Sequence, residues 1–163
     1  MYIRMINKKA KWEQDKDKKV KDISSDIITN CLKTSQETLS IWYAENDDEI
    51  DKAIIALSAN RDFINKLDYI ILEDDDIKKY NLEINKSEGN SPYIEFNENH
   101  YDIVNINYSI LGNVAEMILQ KIKSGEKINR ISEANIKAKL KKAMEKNILN
   151  KQQMSKDLLK EIL

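Results

Sequence analysis

The residues best equipped for chemistry are few and can be taken one group at a time. His100 is the only histidine. It stands in Glu95-Phe96-Asn97-Glu98-Asn99-His100-Tyr101-Asp102, where Asp102 could orient it as a general base. The apolar spacing predicts a helix from Asn97, which puts Glu98 and Asp102 on one face and aims His100 elsewhere. No spacing sets a nucleophile beside it, and Ser87 and Ser91 are merely nearby in a loop. A histidine in the first turn of a helix, bonded to the preceding loop, is the simpler role.

Glu73, Asp74, Asp75 and Asp76 follow the apolar run Tyr69-Ile70-Ile71-Leu72. Clustered carboxylates at the carboxyl end of a strand can hold Mg²⁺, and that edge is where α/β sheets bind ligands. A metal-dependent nuclease would add a positioned lysine and acids from other strands, and no Asp/Glu-x-Lys strand accompanies these. Acids at a helix N-terminus are also favoured by the helix dipole alone. A third group, Lys137, Lys139, Lys141, Lys142 and Lys146, could track phosphates. Arg130 is the only arginine nearby, and no aromatic residue follows Tyr108, so base reading and base stacking are poorly equipped.

Composition excludes more than it suggests. One cysteine, Cys31, rules out an internal disulfide and any Cys-based zinc site. One histidine rules out His-pair metal sites, and three glycines cannot build a G-x-G-x-x-G or P-loop cradle. No metal and no cofactor is expected. Lysine, isoleucine and asparagine dominate and arginine occurs three times, the bias of an AT-rich genome such as that of a low-GC bacterium, its phage or its plasmid. Single lysines therefore carry little information. Apolar residues at 41% and charged residues at 34% suit one folded domain with a short appendage. Met1 to Asn7 turns polar too soon for a secretory signal, and no stretch nears the roughly 20 apolar residues of a membrane span. The expectation is a reduced, cytoplasmic chain.

A net charge of −1 conceals three blocks: +4 over residues 1–36, −12 over 37–117 and +7 over 118–163. Genome bias inflates lysine at the ends but does not explain an acidic middle. The blocks either fold onto one another or meet different partners.

The elements that must position these groups follow from periodicity and punctuation. Residues 8–21 read as a frayed, lysine-rich lead-in. Val20, Ile23, Ile27, Cys31 and Leu32 recur at helical spacing, predicting one helix over about 16–33 with Cys31 as a small buried hydrophobe. Residues 38–44 alternate as a strand and set Trp42 and Tyr43 on opposite faces. Asn46 or Asp47 caps a helix to Ala59 that turns Ile50, Ala53, Ile54 and Leu57 inward. Residues 69–72 read as a central strand, 74–80 as a short helix and 82–86 as a third strand, together a right-handed β-α-β arrangement. The loop 87–92 is followed by a helical stripe from Asn97 to Ser124 that closes at Gly125, with Gly112 packed closely or kinked. Ser132 caps a helix ending near Asn147, and Asn150 starts the last one, which turns Met154, Leu158, Leu159 and Ile162 inward.

Residues 139–150 and the leucine-rich end after them resemble SHOCT, a short C-terminal helical hairpin. Asn147-Ile148-Leu149-Asn150 stands where that family has Gly-Ile-Ile-Thr, and Met154 where it has an aromatic residue. The resemblance covers under a fifth of the chain and implies an oligomerisation or recruitment module.

The expected fold is α+β or small α/β: a three-stranded sheet flanked by an N-terminal helix and a long helix over residues 1–125, with a basic helical hairpin over 126–163. The expected function is non-catalytic. An acidic surface of Glu45, Asp47, Asp48, Glu49, Asp51, Glu73, Asp74, Asp75 and Asp76 would bind a basic protein, as an immunity, antitoxin-like or accessory protein of a bacterial defence or mobile-element system does. If residues 38–44 and 69–72 are neighbouring parallel strands, these acids share one rim. The alternatives are weak nucleic-acid binding through the C-terminal lysines, and a small hydrolase or nuclease using His100 with Asp102 or the Asp74–Asp76 cluster.

Overall fold

Tyr2–Ile6, an apolar run interrupted only by Arg4, forms strand β1 in the computed structural model, which describes residues 1–163. In chain order there follow α1 (Lys9–Asp15), α2 (Ser25–Cys31), β2 (Leu39–Tyr43), α3 (Asp47–Ala59), β3 (Leu67–Leu72), α4 (Asp74–Lys79) and β4 (Glu83–Lys86). The chain continues through β5 (His100–Val104), α5 (Tyr108–Lys123), β6 (Asn129–Ile131), α6 (Glu133–Glu145) and α7 (Lys156–Ile162). Single 3₁₀ turns lie at Val20–Asp22, Ile94–Asn99 and Lys151–Gln153.

The fold is mixed α+β, but its open sheet has six strands and not three, in the order β4-β5-β2-β1-β3-β6. β1 lies between β2 and β3 and runs antiparallel to β3, with Tyr2 opposite Leu72 and Ile6 opposite Asp68. The expected β-α-β pair of neighbouring parallel strands is thereby overturned. β1 escapes the sequence pattern because a strand inside a sheet need not alternate. Its one charged side chain, Arg4, donates to Ser40 O at 2.8 Å and Cys31 O at 2.7 Å.

The expected helix over 97–124 is instead a 3₁₀ turn, β5 and α5. Ile103, Ile106 and Ile110 fall at helical spacing by coincidence of register. The break comes at Asn105, which takes a left-handed conformation (φ 56°), and at Asn107, whose side chain accepts the Ile110 N–H as the N-cap of α5. The helix expected over 16–33 is also divided, because Lys19, Ile23 and Ser24 are extended. The supposed lead-in contains α1, which buries Trp12 and Asp15. α3 turns Ala56 inward where Leu57 was expected, and Leu159 of α7 is only half-buried. Gly112 does not pack closely, since a Cβ there would meet nothing within 4 Å.

The chain divides into two compact units. The first comprises Met1–Ile41, Asp68–Asn85 and Asp102–Asn129. In it α5 packs against α1 and the 3₁₀ turn at 20–22, burying Val114, Met117 and Ile118 along one stripe. Each such side chain contributes about 1.5–3 kcal/mol relative to exposure. Asp15 accepts the Ser24 N–H at 2.8 Å and pairs with Lys18 at 2.7 Å. These bonds hold its carboxyl below the usual carboxylate range.

The second unit comprises Trp42–Leu67, Lys86–Tyr101 and Arg130–Leu163. Here α6 packs against both α3 and α7, and α3 also meets the 3₁₀ turn at 94–99. Ser132 caps α6 and Asn147 (φ 56°) ends it, as the sequence implies, but Asn150 caps only the 3₁₀ segment at 151–153 and α7 starts later, capped by Ser155. No helix is long and apolar enough to cross a membrane.

Candidate partner-binding site

The nine acidic residues expected to form one surface fall in both units, and several carry structural duties. In the first unit Glu73 and Asp76 form a capping box at the start of α4, with the Glu73 N–H donating to Asp76 Oδ2 at 2.8 Å. The same Asp76 oxygen accepts from Lys121 Nζ of α5 at 2.6 Å, and Glu126 approaches that ammonium to 2.9 Å. Lys121 is 5% exposed. Burial works against its charge, but its hydrogen bonds to Asp76 and Glu126, with the attraction of their charges, prevail and raise its pKa above the ordinary lysine value. Asp74 and Asp75 are left exposed. No group of three or more His, Cys, Asp or Glu side chains is arranged to hold a metal ion.

In the second unit Asn46 caps α3 by accepting the Glu49 N–H at 3.1 Å, and Glu49 in return accepts the Glu45 N–H at 2.8 Å. Asp51 pairs with Lys139 of α6 at 2.6 Å, so the basic tail does fold onto part of the acidic block. Glu45, Asp47 and Asp48 remain exposed at the start of α3. A cleft of about 450 Å³ lies between α3 and α6, with Asp48 and Asp51 on one wall and Lys139, Lys142 and Lys146 on the other. Lys137, Lys141, Lys142 and Lys146 are exposed.

His100 opens β5 and does not sit in the first turn of a helix, so the expected helical face shared by Glu98 and Asp102 does not form. Ser87 Oγ lies 2.8 Å from His100 Nδ1, a juxtaposition that sequence spacing did not reveal. Antiparallel pairing across the loop 87–99 brings it about, with the Ser87 N–H donating to His100 O at 3.2 Å. Trp42 lies edge-on to the imidazole at 4.9 Å and stacks on Phe96 at 5.7 Å. Tyr43 is half-buried and lies 6.1 Å from Tyr101.

The same loop builds the larger cleft of the unit, about 640 Å³, which sequence reasoning missed. Lys86, Ser87, Glu88, Ile94, Glu95 and Glu98 line it, with Asn97 at its base. Asn97 Oδ1 accepts the Ser91 N–H, Nδ2 donates to Ser91 O, and its carbonyl accepts the Gly89 N–H, each at 3.0 Å. A Cβ on Gly89 would stand 2.8 Å from both Asn97 Oδ1 and the Trp42 ring. The one signal available beforehand was Gly89 itself, in the loop between two strands.

Comparison with protein-family models, curated proteins and solved structures gives no match, so the resemblance of the C-terminal helices to SHOCT rests on the residues quoted for it alone.

Proposed function

We propose that the protein is a non-catalytic binding protein that recognises a basic protein partner through acidic surface, in the manner of an immunity, antitoxin-like or accessory subunit. The observation that carries the reading is in the second unit. Asp51 holds Lys139 at 2.6 Å, while Asp47 and Asp48 stand exposed about one turn before it in α3 and Glu45 stands exposed just ahead of the Asn46 cap. An acidic helix end that already accepts one lysine of its own chain is chemically suited to accept those of another. Charges of this kind chiefly set association rate and choice of partner.

The test begins with the full chain purified from its native host and the protein bound to it. That protein should be basic, and its association rate should fall as salt rises. Replacing Glu45, Asp47 and Asp48 by lysine should slow association at least tenfold with little change in thermal stability. An acidic partner, or an unchanged association rate, would overturn the reading.

The Ser87–His100 distance favours a second reading, an acyl-transfer enzyme with Ser87 as nucleophile. Its test is direct: a fluorophosphonate probe should label Ser87 in the wild-type chain and not in His100→Ala.

A further inference from the structure

We infer that the 640 Å³ cleft of the second unit is a receptor for a cationic side chain next to an apolar one, presented by a basic protein segment. This rests on the partner-binding reading above and names the place and the chemistry. Three observations converge on it.

The first is shape with an apolar wall. Ile94 is 49% exposed and lines the cleft, one of few large apolar side chains left in water. Covering it with a partner's apolar side chain removes that surface from solvent.

The second is charge. Glu88, Glu95 and Glu98 line the cleft against the single cation Lys86. Some acids elsewhere are held by the chain's own lysines: Lys11 holds Asp26, Lys121 holds Asp76 and Lys139 holds Asp51. None of the three glutamates has such an ion-pair partner. A guanidinium or ammonium complements them, whereas an anion would be repelled.

The third is rigidity. Asn97 fastens the loop at Gly89 and Ser91 with three hydrogen bonds, and the Ser91 hydroxyl donates to Ala56 O of α3 at 3.0 Å. Phe96 of the turn stacks on Trp42 at 5.7 Å, which also limits its movement. A preformed cleft avoids much of the ordering cost of binding.

The experiment uses the full ¹⁵N-labelled chain and two capped synthetic peptides, one built around arginine-isoleucine-arginine and one around glutamate-isoleucine-glutamate. The arginine peptide should shift the amide signals of Gly89, Glu95 and Glu98 in a saturable way, and the glutamate peptide should not. Glu95→Lys with Glu98→Lys should weaken binding at least tenfold, and Glu95→Gln with Glu98→Gln should do so to a lesser degree while guarding against misfolding. Equal shifts from both peptides would overturn the proposal. Shifts confined to residues 45–51 would overturn the cleft but leave the acidic-surface reading standing. No shift anywhere at millimolar peptide would overturn the proposal, while the reading under it would still answer to its own partner test.

Discussion

Lys121 Nζ lies 2.6 Å from Asp76 Oδ2, inside the first unit, and this pair takes Asp76 out of the acidic surface to which its sequence neighbours point. Truncating one member of a buried pair leaves the other without its counter-charge. Because Glu126 and part of Asp76 reach solvent, the cost should fall below that of a fully buried pair. Lys121→Met should lower unfolding stability by about 2 kcal/mol, measured as a drop in urea midpoint at unchanged slope. An unchanged midpoint would show that the pair contributes nothing.

The same pair sets an alkaline limit. The folded pKa of Lys121 is raised above the ordinary value of 10.5, so its contribution is complete below 10.5 and is lost as pH rises through the folded value. At the acid end Asp15 has the opposite sign. Its folded pKa is lowered from 3.8 by bonds to Lys18 and Ser24, so its contribution is present above 3.8 and fades as pH falls. Urea midpoints should therefore decline at both extremes. Lys121→Met should flatten the alkaline arm and Asp15→Asn the acid arm.

Two glycine substitutions should move stability in opposite directions. Gly89→Ala forces a methyl to within 2.8 Å of Trp42 and Asn97 and should destabilise by about 1–3 kcal/mol. Gly112→Ala adds a methyl to open space in the middle of α5 and should stabilise by about 0.5–1 kcal/mol. Thermal melts of the two variants beside the parent chain decide both.

Nucleic-acid binding through the C-terminal lysines should be weak and independent of sequence. Lys139 is engaged by Asp51, leaving Lys137, Lys141, Lys142 and Lys146 exposed on α6. Reversing those four to glutamate is a cleaner test than deleting the tail, because α6 packs against α3. Any binding to duplex DNA in the parent should weaken steeply with salt and disappear in the variant. Sequence-selective, salt-resistant binding would contradict this.

Local chemistry made some elements legible. The Asn46 and Ser132 caps, the Asn147 stop, β3 and α4 follow from residues whose preferences act within a few positions. Missed were β1, β5 and β6, strands whose pairing is decided by distant residues. The Ile103–Ile106–Ile110 spacing satisfied a helix as well as a strand followed by a helix, and only Asn105 and Asn107 could have separated the two. The cleft was hidden for a related reason. Ser87 and His100 are thirteen residues apart, and only antiparallel pairing makes them neighbours.

Each unit is assembled from three separate stretches of chain, and the second takes its final stretch from Arg130–Leu163. The order of synthesis therefore matters. By Asn129 the ribosome has delivered every segment of the first unit, while α3 still lacks α6 to cover it. The second unit can close only once Arg130–Leu163 has been delivered. At about 5–20 residues per second that leaves an interval of seconds in which the underside of α3 is open to chaperones. A nascent chain stalled just after Asn129 has cleared the exit tunnel should show native protection in the first unit alone.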